Sequence, residues 1–118
     1  MNIRVVHEPI SIAEVRALAQ EIYQDLIKGV ADIEKGIIAL GGEWHMDANK
    51  VLLANGSKQE NVWGFNIYPD EKDSAALEFI SLINIRPAQG NRGMEIANKE
   101  LRQKIHDSIA HLIPDLFV

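Results

Sequence analysis

Two groups of residues could carry chemistry in this sequence. The first is Glu43, His45 and Asp47. Residues 43–47 alternate polar and apolar, and on a strand side chains at i, i+2 and i+4 point to one side. A histidine beside a carboxylate is the pairing of a general base with its orienter, so His45 and Asp47 are the candidate catalytic residues. The same triplet offers nitrogen and oxygen ligands to a divalent ion. Ligands two apart on one strand need a further partner from elsewhere, and no metal site is assigned. The second group is the segment Asn84-Ile85-Arg86-Pro87-Ala88-Gln89-Gly90-Asn91-Arg92-Gly93. Each arginine presents a planar fork of donors suited to a carboxylate or phosphate. Glycines let backbone N–H groups approach an anion, and a helix starts shortly afterwards. The plain alternative is that Arg86 and Arg92 pair with Glu43, Glu78 or Glu95 and hold the loop. Neither a P-loop nor a dinucleotide fingerprint is present, and no motif implies a cofactor.

Composition narrows the classes these groups could serve. The chain has 118 residues, which predicts a single domain over 1–118. Acids outnumber bases 17 to 12, a net charge of −5, so nucleic acid is not an expected partner and neither is an anionic membrane surface. There is no cysteine, which excludes disulfides, thiolate catalysis and Cys-ligated metal centres. The first residues lack a signal-peptide core and no apolar stretch approaches the ~20 residues of a spanning helix, so a cytoplasmic location is expected.

The elements that must position these groups read as follows. Residues 2–6 form a short strand that Pro9 stops. Ser11-Ile12-Ala13-Glu14 matches a capping box, and Ile10 and Val15 suit the hydrophobic staple. Apolar residues recur in steps of three and four at 15, 18, 22, 26, 30, 33 and 37, which predicts one helix over 12–40 ending at Gly41-Gly42. Such a helix would span about 43 Å, against a domain diameter of about 35 Å for this chain length. Its overhanging stripe would need a second subunit, so a homodimer is expected. Strands follow at 43–47, 51–54, 62–68 and 76–86, with turns at Asn55-Gly56 and around Pro69. Asn98 caps a second helix over 99–113, with Leu101, Ile105, Ile109 and Leu112 as its buried stripe. The tail Leu116-Phe117-Val118 is apolar and should dock. The order β-α-β-β-β-β-α predicts an α+β fold with a mainly antiparallel sheet of four or five strands, the long N-terminal helix and the C-terminal helix both on one face.

Alternation divides that sheet. Trp44, Met46, Trp63, Phe65, Ile67, Leu77, Phe79, Ile83 and Ile85 form the face expected under the helices. The other face carries Glu43, His45, Asp47, Asn66, Tyr68, Glu78, Asn84 and Arg86, interrupted by Ile80 and Leu82. His7, His106 and His111 read as surface residues.

Three blocks have a distinctive composition: residues 41–45, residues 57–69 (Ser57-Lys58-Gln59-Glu60-Asn61-Val62-Trp63-Gly64-Phe65-Asn66-Ile67-Tyr68-Pro69) and residues 83–92. In these the chain resembles a small family of bacterial proteins of unknown function. The resemblance covers essentially the whole chain. It implies a single domain and supplies no activity, cofactor or catalytic residue.

Two functions follow from the residues. The first is a dimeric binding or regulatory module. Its site comprises Asn84, Arg86, Gln89, Asn91 and Arg92 of the loop with Asn66 and Tyr68 of the sheet, and takes a small anion or an acidic partner protein. The second is a small hydrolase acting on phosphoesters or nucleic acid, with His45 as base, Asp47 as orienter and Arg86 and Arg92 as charge stabilisers.

Overall fold

The chain turns back on itself at Asp32, and this turn decides the architecture. In the computed structural model, which describes residues 2–118, the Asp32 carboxylate accepts the N–H groups of Glu34 and Lys35 at 2.9 and 3.0 Å. The Gly36 N–H reaches the Asp32 carbonyl at 2.9 Å, and Gly36 adopts φ +68°, a left-handed conformation that glycine takes without a Cβ clash. The result is a hairpin between β2 (Ile27–Asp32) and β3 (Ile37–Gly41).

The helix expected over 12–40 is therefore not formed. Its first part is α1 (Ile12–Ala19), where the Ser11 half of the expected capping box forms: the Glu14 N–H is held by Ser11 Oγ at 3.2 Å, while the Glu14 carboxylate turns to Arg4. The steps of three and four that suggested a longer helix are equally compatible with two strands whose faces are both covered. Gly29 explains why. A Cβ there would lie 2.7 Å from the Phe65 ring and 2.8 Å from Leu40, so the position serves close sheet packing. The molecule measures 37 × 29 × 24 Å, too short for the 43 Å helix, and the overhang that called for a second subunit does not arise.

With β1 (Ile3–Val6), β4 (Val62–Ile67) and the two-residue β5 (Leu77–Glu78), the strands form a five-stranded antiparallel sheet in the order β1-β3-β2-β4-β5. The fold is α+β as expected. The helices, however, cover both faces. α1 and α3 (Lys99–Leu112) pack Val15, Ala19, Ile105, Ile109 and Leu112 against Ile38, Leu40, Trp63, Phe65 and Ile67. On the opposite face Ala48 and Leu52 of α2 (His45–Ala54) pack against Val30, Ala39 and Val62. α2 replaces the strands expected at 43–47 and 51–54. The Asp47 carboxylate accepts the Trp44 N–H at 2.9 Å and closes its first turn, while Ala48 and Leu52 supply the i, i+4 spacing it buries. The alternation of residues 43–47 is incidental. Trp44 and Met46 are accordingly not core: they are 59% and 45% exposed.

The strand expected over 76–86 shrinks to β5, followed by short 3-10 turns at Leu82–Asn84 and Pro87–Gln89. Ile85 is exposed as a result, and Ile83 packs on the α2 side. α3 is as expected, with Asn98 Oδ1 accepting the Leu101 N–H at 3.0 Å. The tail docks in part: Leu116 is buried and Phe117 stacks on His106 at 4.3 Å, while Val118 is exposed. Among the described residues no helix is long and apolar enough to cross a membrane.

Trp63 is 3% exposed within the larger core. Trp63→Ala is expected to lower unfolding free energy by about 3–5 kcal/mol in urea denaturation, as for a large aromatic truncated in a core. A loss below about 1 kcal/mol would mean that the surroundings do not depend on the ring.

Candidate ligand-binding groove

α2 ends its cover of the sheet at its own N-terminus. Beyond it, Lys28 of β2, Asn66 of β4 and Glu78 of β5 stand in one row, because Lys28 pairs with Asn66 and Asn66 with Glu78. His45, the first residue of α2, reaches down to this row. Its Nε2 lies 2.8 Å from Asn66 Oδ1 and 2.9 Å from the Phe65 carbonyl. The Asn66 amide nitrogen donates to Glu78 Oε1 at 2.8 Å and to the Ile80 carbonyl at 3.2 Å, which leaves Oδ1 as the acceptor toward His45. His45 Nε2 therefore carries the proton and donates. The Tyr68 hydroxyl donates to the same Glu78 oxygen at 3.2 Å.

The electrostatics agree with this tautomer. His45 is 8% exposed, and burial lowers its pKa. The bond to the Phe65 carbonyl opposes that shift and the Lys28 charge reinforces it, so the imidazole stays neutral. Burial also raises the Tyr68 pKa, helped by the Glu78 charge.

Above His45, Asn66 and Ser81 opens a groove of about 580 Å3. Trp44 and Met46 form one wall. Ile80, Leu82, Ile83 and Met94 form the other, and Lys28 lines the groove beside Trp44. Leu82 is 67% exposed and Met94 41%. The Lys28 ammonium sits 5.1 Å from the Tyr23 ring centre and 5.3 Å from that of Trp44. Among the described residues it has no ion-pair partner.

The 84–92 loop is organised differently. Asn84 is fully buried, and its side-chain amide pairs with the Gly64 backbone, accepting its N–H at 2.8 Å and donating to its carbonyl at 3.0 Å. A Cβ at Gly64 would lie 2.5 Å from Ser81, so the glycine lets this wall close on β4. The Asn91 amide nitrogen donates to the carbonyls of Asn84, Gly93 and Glu95, and its oxygen accepts the Ala97 N–H. The Arg86 guanidinium donates to the carbonyls of Ile83, Gln59 and Val62 and to Gln89 Oε1, and lies 4.2 Å over the Trp63 ring. Gln89 in turn donates to the Glu60 carbonyl at 3.0 Å. Arg92 is exposed.

Of the residues singled out in the sequence, the structure thus brings His45, Asn66 and Tyr68 into one network. It gathers Asn84, Arg86, Gln89 and Asn91 into a separate one that binds the protein's own backbone. Asp47 caps α2 and does not orient His45. Glu43, His45 and Asp47 do not share a strand face, and among the described residues no cluster of three or more acidic or histidine side chains could hold a metal ion. Sequence reasoning missed Lys28, Ser81, Leu82 and Met94. The only signal was the interruption of the polar set by Ile80 and Leu82.

Arg86→Gln is expected to destabilise the fold by about 1–3 kcal/mol, since it leaves buried carbonyls unpaired. Phosphate should stabilise wild type and variant equally in thermal melts; a phosphate effect lost in the variant would return Arg86 to an anion site. His45 generates a pH dependence. Its pKa is lower folded than unfolded, so the unfolded chain binds the extra proton first. Stability is then complete above about pH 6.5 and falls as pH drops toward the folded pKa. Urea midpoints between pH 5 and 8 should show this slope in wild type and a shallower one in His45→Gln; parallel curves would clear His45 of the effect.

No curated protein and no solved structure matches the chain. A family model described as a protein of unknown function, DUF5674, matches residues 4–112, and the chain belongs to that family.

Proposed function

We propose that this protein is a binding module without catalytic activity, and that its ligand site is the groove between the start of α2 and the 80–83 wall. The observation that carries this reading is the convergence of four large apolar side chains, Trp44, Met46, Leu82 and Met94, on the walls of one groove. Large apolar side chains gathered on one surface mark an interaction site. The volume of about 580 Å3 suits a small molecule. The floor offers few polar groups, and those of His45 and Asn66 already have partners. Met46 and Met94 are flexible and polarizable, which suits contact with an apolar body of variable shape.

The 84–92 loop belongs to this reading as the support of one wall, not as the anion site itself. Arg86 directs its donors to backbone carbonyls, so a fork free for an anion is lacking there. The hydrolase alternative draws no support from the geometry. Asp47 is a helix cap, Arg86 is engaged, and the His45 proton-bearing nitrogen is held by two acceptors. A second copy of the chain is the competing occupant of the groove, and it would restore the homodimer on new grounds.

An anilinonaphthalene sulfonate dye tests the reading. Its fluorescence should rise on wild type and fall back in Leu82→Asp and Met94→Asp, two exposed positions where a charge is tolerated by the fold. Thermal melts of each variant check that the fold is kept. Unchanged dye binding in both variants would reject the groove. Sedimentation equilibrium should find 13.2 kDa at tens of micromolar. A doubled mass that Leu82→Asp halves would make the groove a self-interface instead.

A further inference from the structure

We infer that the groove selects an amphipathic monocarboxylate, seating the carboxylate on the Lys28 ammonium and the apolar chain along Met46, Leu82 and Met94; this rests on the groove being a ligand site. Charge complementarity carries the argument. Among the groups that line the groove, Lys28 is the single charge: none is acidic, and burial keeps His45 neutral. The complement of an apolar groove with one positive charge is an apolar molecule with one negative charge.

Lys28 is positioned for that role. It lies on β2, whose neighbours are β3 and β4, and it pairs with Asn66 of β4, so the strand fixes where its side chain starts. Tyr23 and Trp44 hold the ammonium by their ring faces, which orients a cation without neutralising it. It is half-buried, so a carboxylate there is less screened than at an open surface. The chain as a whole carries net charge −5, so anions are not collected generally, and attraction at this point is local. Glu78 lies beyond Asn66 in the same row, outside the groove lining, and its Oε1 is bonded to Asn66 and Tyr68. A dianion such as a phosphate monoester would bring a second charge into apolar surroundings with no cation to meet it. A ligand with a cationic end would face Lys28 directly.

The probes are octanoate, octanol and octylammonium, titrated into the full chain and followed by backbone amide chemical shifts. Octanoate should bind roughly tenfold more tightly than octanol, and octylammonium more weakly than either. Shifts should cluster at Trp44–Met46 and Ser81–Ile83. Lys28→Met should remove the octanoate advantage over octanol, and Lys28→Arg should keep most of it. The octanoate advantage should also shrink as salt rises. Equal affinities for octanoate and octanol in wild type would overturn the carboxylate inference and leave the apolar groove standing. So would an octanoate advantage that survives Lys28→Met. If neither compound moves groove resonances, the inference fails together with the reading beneath it.

Discussion

The structure depends on how the outer edge of β4 is closed. β5 pairs with β4 only at Asn66 and Ile67, so the polar backbone of Val62 and Gly64 on that side lacks a strand partner. These groups are buried, and unpaired they would cost free energy comparable to lost hydrogen bonds. Side chains take the place of the missing strand. The Asn84 amide presents a donor and an acceptor in one plane, as a peptide group does, and pairs with both groups of Gly64, while its nitrogen also donates to the Met94 carbonyl at 3.2 Å. Arg86 covers the Val62 carbonyl and Asn66 binds Glu78 across the last rung. Asn91 then ties Asn84 to residues 93, 95 and 97, linking this closure to the approach of α3. Asn84 and Asn91 are consequently internal parts of the fold, whereas Gln89 and Arg92 remain exposed.

That closure also sets the groove. A regular fifth strand continuing from Glu78 would have lain flat beside β4. The chain instead leaves the sheet after Glu78, and the turn at Leu82–Asn84 carries Leu82 outward while Ile83 packs inward on the α2 side. Across from it, the helix start at His45 puts Trp44 and Met46 at the other lip. The space between two irregular elements over a regular sheet is the groove, and its floor is the row that α2 touches only through His45.

Local signals were legible in the sequence, and signals that needed a partner were not. Ser11 and Asn98 cap helices through contacts within four residues, so both starts could be read directly. The alternation of residues 62–68 was equally clear, and it placed Trp63, Phe65 and Ile67 on the core face and Asn66 on the other. Residues 20–40 failed because apolar steps of three and four do not distinguish a helix from two strands covered on both faces. The decisive residue was Asp32, whose carboxylate makes the turn, and which looks in sequence like any surface acid. The loop failed for a different reason. Amides and guanidinium groups that bind ligands are the same groups that bind a buried backbone, and only the geometry of the β4 edge separates the two uses. His45 was assigned to the same sheet face as Asn66 and Tyr68 through a strand over 43–47 that does not form; they do meet, because a helix start delivers His45 to that face.

The burial that lowers the His45 pKa has a second effect. A proton on its free nitrogen would put a positive charge at the N-terminus of α2, where the helix dipole already presents positive charge. It would also stand near Lys28, whose charge already works against that proton. Desolvation, the largest contribution, opposes the charged form as well; the two hydrogen bonds and the Glu78 charge act the other way, and the balance lowers the pKa, so the neutral imidazole is favoured. With His45 neutral, the groove holds one charge, on Lys28, beneath walls of Trp, Met and Leu. A protonated histidine at its floor would instead give two charges at separate points and a site suited to a polar anion. The same imidazole that looked like a general base in the sequence thereby determines that the groove is apolar along its length and positive only at Lys28.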